Sequence, residues 1–222
     1  MTGDEDFDEN VFINCPFDDA YLPLLRPLLF TLLFLGFKPR IASERLDSLE
    51  SRIGKICELI RESRYSIHDL SRLKASEIDE FYRMNMPFEL GIDYGCRLFG
   101  SDALPNKQCL ILEADPHEFR RALSDLAGID ILHHSNDPSR IVQSVRNWLC
   151  NVAGADDKLG PTGIWYRFND FTSDFYDKRK AQGFSDNDLN MMPVPEYVRS
   201  ISGWLAAQRR SRGRRKEQRP RA

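Results

Sequence analysis

A chain of 222 residues is long enough for one α/β domain with an appendage and too short for two large domains. Its 41% hydrophobic and 29% charged residues read as soluble and globular. The five cysteines are odd in number, far apart and without a C-x-x-C pair, which excludes a disulfide framework and a zinc-ribbon spacing and points to a reducing cytoplasm.

The net charge of −3 is unevenly spread. After Gln208 the chain holds eight Lys/Arg against Glu217, a formal +7 that leaves −10 for everything before it. Asp4, Glu5, Asp6, Asp8 and Glu9 make the start acidic, and residues 1–10 and 209–222 both read as solvated, poorly ordered tails. The basic segment has the charge to touch nucleic acid but lacks the interleaved aromatics of a reading surface.

In chain order, Val11–Asn14 is an apolar run closed by Cys15-Pro16 and reads as a buried first strand. Asp18 or Asp19 caps a helix over 20–35, ended by Gly36. The apolar stretch 28–37 inside it is half the roughly 20 residues a membrane span needs, and neither a secretory leader nor a membrane partner is expected. A second strand covers 37–43. A helix follows over 47–62, with Leu49, Ile53, Ile56, Cys57 and Ile60 on one apolar face. The third strand covers 64–70, and the charged connection 71–84 is long enough for a substrate loop. A helix to about Phe99, a strand over 107–112, a helix over 116–127, a strand over 129–133 and a helix over 138–152 complete the alternation. That rhythm predicts a five-stranded parallel sheet with flanking helices, in a flavodoxin-like or Rossmann-like winding over 11–153. From Leu159 to about residue 208 an aromatic stripe at helical spacing predicts a helical appendage docked on the sheet domain or on a partner subunit.

Ligands of such sheets bind beyond the carboxyl ends of the strands, where strand order reverses. The sequence places Asn14, Pro16, Phe17 and Asp18 there, with Asp69, Ser71 and Arg72 after the third strand. Asp69 admits two readings, a catalytic or hydroxyl-orienting carboxylate and a cap for the segment at Ser71. Arg72 suits a phosphate or a nearby carboxylate, and His68 reads as a packed or hydrogen-bonded side chain rather than a base. His133 and His134 are neighbours on a strand and do not converge as ligands. The stretch Asn85-Met86-Pro87-Phe88-Glu89-Leu90-Gly91-Ile92-Asp93-Tyr94-Gly95 predicts a helix with Glu89 in its first turn. Gly91 and Gly95 would let that helix lie close to the sheet. No phosphate-cradling glycine loop, H-E-x-x-H or G-x-S-x-G is present, so neither a bound redox cofactor nor a metal is expected.

The strand end Phe12-Ile13-Asn14-Cys15-Pro16-Phe17, the strand end Ser66-Ile67-His68-Asp69-Leu70-Ser71 and the helix Pro87-Phe88-Glu89-Leu90-Gly91 together resemble the nucleoside 2-deoxyribosyltransferase family and the related bacterial Toll/interleukin-receptor-like domains. The resemblance covers roughly the first 150 residues. It implies Glu89 as the nucleophile at an N-glycosidic carbon, Asp69 as the strand-three carboxylate, and Pro16 and Phe17 as the turn that cradles the sugar. Asn14-Cys15 and Met86-Pro87 stand where the transferases favour a glycine turn and Gly-Thr. The implied substrates are a nucleoside, a nucleotide or NAD, the implied assembly is a homo-oligomer, and the implied role is bacterial antiviral defence or nucleotide signalling. The alternative is a non-catalytic nucleotide-sensing or protein-interaction module of the same fold.

Overall fold

The computed structural model describes residues 6–72, 84–117, 119–121, 123–156 and 158–217. Side-chain alternation along its strands divides the chain into layers. In β1 (Asn10–Asn14), Val11 and Ile13 face one side while Phe12 faces the other. In β3 (Tyr65–Asp69) Tyr65 and Ile67 share the Val11 side, as do Leu110 and Leu112 of β4 (Gln108–Glu113). Short strands β2 (Lys38–Arg40) and β5 (Leu132–His133) complete a parallel sheet in the order β2-β1-β3-β4-β5. That order selects the flavodoxin-like winding and puts the topological switch between β1 and β3.

On the Val11 side lie α1 (Leu22–Phe34) and α4 (Pro138–Ala153). Helix α1 is apolar all round because it is covered twice, by the sheet and by the appendage. The appendage consists of α5 (Pro161–Ala181), α6 (Asp186–Asn190) and α7 (Val194–Glu217). Phe30 of α1 packs on Phe168, Phe171 and Trp204, with ring centroids 5.6 to 6.0 Å apart. Arg26 reaches from α1 to the Leu189 carbonyl at 2.6 Å and lies over the Tyr197 ring. The aromatic stripe therefore closes the same core that α1 shares with the sheet.

On the other side lie α2 (Arg52–Arg61) and α3 (Asn85–Phe99). Ser51 caps α2, and Ile56, Leu59 and Ile60 pack on Phe12. The expected apolar face of this helix is shorter than its spacing suggests. Leu49 lies outside the helix and is 96% exposed, and Ile53 faces outward. Tyr21, not Asp18 or Asp19, is the N-cap of α1. Asp18 instead accepts the Tyr21 backbone N–H at 3.1 Å in the preceding turn.

Three further expectations change. Among its described residues the connection 114–131 holds two short 3-10 turns, at Phe119–Arg121 and Ser124–Leu126, in place of the expected helix over 116–127, and its apolar residues cluster under α3. Residues 6–9 form a turn held by Phe7, which is buried, and by ion pairs of Asp6 and Glu9 with Lys38 and of Asp8 with Arg64, so they are not a free tail. Helix α7 continues to Glu217 and takes much of the basic segment into regular structure. The loop expected over 71–84 falls largely on residues 73–83, outside the described residues. No helix among the described residues is long and apolar enough to cross a membrane.

Candidate functional site

Helix α3 begins at Asn85, so Glu89 falls in its second turn rather than its first. The helix dipole acts most strongly on the first turn, and burial governs this carboxylate instead. Met86, Glu89, Leu90 and Asp93 form the inward face. Gly91 has open space where a Cβ would stand and Gly95 only a distant contact with Phe99, so these glycines do not bring the helix closer to the sheet. They face outward because the inward positions at this spacing are taken by the two acids and their apolar neighbours.

Glu89 is 7% exposed and has neither a hydrogen bond nor an ion pair among the described residues. Burial pushes its carboxyl above the ordinary value, against the smaller opposing influence of Arg52 and His68. It lies near enough to the end of β1 to raise the Cys15 thiol. That thiol is pushed up first by burial, then by Asp69, Glu89 and Asp18, so Cys15 stands among three carboxylates as an unreactive thiol.

Beneath Glu89, the α3 side of the sheet carries a buried polar chain. Asn14 Nδ2 donates to the Met86 carbonyl at 2.9 Å, which fixes the amide, and lies 3.0 Å from His68 Nδ1. His68 Nε2 lies 3.0 Å from Asp93 Oδ2. The network assigns the ring proton to Nε2, with Nδ1 accepting from Asn14. Asp93 Oδ1 is 3.1 Å from Lys107 Nζ, and Lys107 donates to the carbonyls of Ile60 and Ser63. Burial alone would raise the Asp93 carboxyl, but His68 and Lys107 outweigh it and hold it at about 2.

Asp69 belongs to a second cluster. It is fully buried. Its Oδ1 accepts from the Ser71 backbone at 2.9 Å and from the Ser71 hydroxyl. Its Oδ2 accepts from Tyr21 at 2.5 Å and from His134 at 3.0 Å. His134 takes the Asn136 N–H on its Nδ1, which leaves the proton on Nε2 for Asp69. Burial works against the Asp69 carboxylate, and the donors from His134, Ser71 and Tyr21 more than compensate, leaving it below its usual range. Four donors fill the acceptor positions of a carboxylate, so Asp69 has none left for a sugar hydroxyl. Both expected roles are thus modified: it is neither open to substrate nor merely a cap, but the hub joining α1, β3 and the end of β5.

The remaining site residues line the same edge. Pro16 is buried and Phe17 is 43% exposed on the turn after β1. Arg72 donates to Asp18 Oδ2 at 2.6 Å, the nearby carboxylate of the two expected partners. Sequence reasoning overlooked Tyr21 and Lys107, and weighed His134 only as a metal ligand. His134 offered a signal, since it sits just past the carboxyl end of the last strand, where functional groups of this fold gather.

One group of metal-ligating types converges among the described residues, His68, Asp93 and Cys109, with ligand atoms within 4.8 Å of one another. The chemistry does not suit a cation. Asp93 is engaged by His68 and Lys107, the ammonium stands beside it, and burial raises the Cys109 thiol to about 12. Chemically, the edge offers one largely buried carboxylate, without a hydrogen bond or ion pair among the described residues, beside a rigid polar frame. Comparisons with family models, with curated proteins and with solved structures each return no match for this chain.

Proposed function

We propose that the chain is an N-glycosidase or N-glycosyl transferase acting on a nucleoside, a nucleotide or NAD, with Glu89 as the nucleophile or ion stabiliser. One observation carries this reading. Glu89 is buried without any hydrogen bond or ion pair among the described residues, beside the β1/β3 switch point. A largely buried carboxylate with no hydrogen-bond or ion-pair partner among the described residues costs stability, and chemistry that uses it accounts for its presence. Cleavage of an N-glycosidic bond develops positive charge at the anomeric carbon. A desolvated carboxylate stabilises that charge strongly or traps the sugar covalently while the base departs.

In this reading Asn14, His68 and Asp93 are positioning residues that hold the floor below Glu89. Asp69 keeps Tyr21 and Ser71 in place. A cytoplasmic setting, on the cysteine pattern, and homo-oligomeric control with a part in antiviral defence, on the sequence resemblance, belong to the same proposal. The alternative, a binding module without turnover, is favoured by a different observation: Asp69 is saturated, so no second free carboxylate stands ready to orient a ribose.

Incubating the protein with NAD and with a panel of nucleosides, and measuring free base by chromatography alongside light scattering, tests the proposal. Released base that disappears in Glu89→Gln supports it. Saturable binding of the same compounds with no base released at any oligomeric state supports the module.

A further inference from the structure

Helix α3 has two apolar faces, and the sheet covers only one of them. Met86 and Leu90 point inward with Glu89 and Asp93. On the opposite side, at the three- and four-residue spacing of one helical face, stand Met84 at the N-cap, Phe88, Gly91, Gly95 and Leu98, with Phe99 beside them. Phe88 is 61% and Phe99 88% exposed, and Met84 and Leu98 are each more than half exposed. Arg97, the one exposed charged residue of α3, lies off this stripe. A surface helix ordinarily turns polar groups to water here, and a helix apolar on both sides is covered on both.

The size of the patch suits a protein partner. At ordinary side-chain sizes the exposed parts of Met84, Phe88, Tyr94, Leu98 and Phe99 come to roughly 600 Å², the upper end for a monomer surface. Two such faces together remove about 1,200 Å² from water, where stable interfaces begin. Gly91 and Leu98 also line a cavity of about 630 Å³ between α3 and the turns before β5, with Leu126 and Ile129 in its wall, so the apolar surface continues past the helix.

The stripe is nearly a palindrome about Asp93. Gly91 and Gly95 stand two residues before and after it, and Phe88 and Leu98 five before and after. A second α3 running antiparallel therefore meets Phe88 with Leu98 at both ends and glycine with glycine between them. A Cβ on Gly91 would meet nothing within 4 Å and one on Gly95 only Phe99 at 3.9 Å, so two backbones have room to approach closely. Self-complementarity of this kind is what a two-fold dimer requires. A membrane-surface helix would instead carry Lys and Arg along its polar side.

We propose that this face of α3 is a dimer interface: a second copy of the chain packs α3 against α3, antiparallel, about a two-fold axis at the level of Asp93. Each copy then backs the helix whose inner side carries Glu89. The pairing stands whether or not Glu89 is catalytic.

Sedimentation velocity of the full chain over a concentration series tests it. The expected result is a reversible dimer with a dissociation constant on the order of 10 µM, as suits an interface of this size. Phe88→Glu, which sets a charge in the apolar contact, should weaken pairing at least about tenfold. Gly91→Glu serves if that variant does not fold, since its side chain meets nothing within one copy. Met191→Glu, exposed on the appendage across the sheet, should leave pairing unchanged. Phe88→Glu with Leu98→Lys in one chain places opposite charges against each other at both ends, and should pair at least about tenfold more tightly than Phe88→Glu alone. A wild type that stays monomeric to about 200 µM would overturn the proposal. So would a dimer indifferent to Phe88→Glu and Gly91→Glu, or a combined variant that pairs no better than Phe88→Glu.

Discussion

Asp93 accepts a hydrogen bond from the His68 Nε2–H at 3.0 Å, and that contact decides what His68 does. With Nδ1 occupied by Asn14, the imidazole has no lone pair left for a substrate proton, so it serves as a strut between β1, β3 and α3. Both partners are nearly inaccessible to solvent, so the pair acts in a low-dielectric setting.

Removing one member leaves the other stranded. Asp93→Asn is expected to cost about 3–5 kcal/mol, the usual consequence of breaking a buried charged pair. Urea denaturation at neutral pH measures it. The pH dependence gives a second reading. A carboxyl held at about 2 in the fold, against an ordinary 3.8, contributes stability that is fully present above 3.8 and is lost as pH falls toward 2. The wild type should therefore lose about 2 kcal/mol more than Asp93→Asn over that interval.

Glu89 has the opposite sign. A carboxyl raised above its ordinary value near 4.5 holds its proton more tightly folded than unfolded. The fold is favoured below 4.5, and that advantage disappears as pH rises through the raised value. Glu89→Gln should therefore be at least as stable as wild type at pH 7 to 8, and the difference should shrink on acidification below 4.5. Thermal melts at both ends of that range check it. A clear loss of stability at pH 8 would mean that Glu89 is a structural acid.

Tyr21→Phe removes a donor to Asp69 and nothing else of the side chain. A hydrogen bond to a charged group contributes about 1.5–3 kcal/mol, so denaturation should register a loss of that order. Burial and then Asp69 push the Tyr21 hydroxyl well above its ordinary range, so it remains a donor at all physiological pH.

The appendage is expected to be inseparable from the sheet. Phe171 stacks on Phe30 and meets Phe175, Tyr197 and Trp204. Phe171→Ala should cost about 3–5 kcal/mol by denaturant unfolding. A chain cut before Leu159 would expose the outer face of α1 and should aggregate, as gel filtration would show.

How much of this was legible in the residues follows from how far each signal is local. Alternating strands and helices carry their own periodicity, so the parallel sheet and the helices at Glu89 and at Pro138 were readable. The stretch before β5 was misread because Pro116 and its scattered leucines imitate a helix, while the actual turns are set by packing under α3. Gly91 and Gly95 were placed on the wrong face because small residues at this spacing suit close packing and open surface equally. Asp69 and His134 are 65 residues apart, and no pattern along the chain marks their contact. Lys107 precedes a strand as an ordinary surface lysine would, and only the fold turns it inward to Asp93.

The most direct measurement is the pH–rate profile of base release for wild type and Glu89→Gln, with whichever of NAD or the nucleosides is consumed. A desolvated nucleophile requires release that rises with pH through a midpoint above 4.5 and falls by at least about a thousandfold in the Gln variant. Release of equal rate in the two proteins, or a profile indifferent to pH across that midpoint, would contradict the role assigned to Glu89.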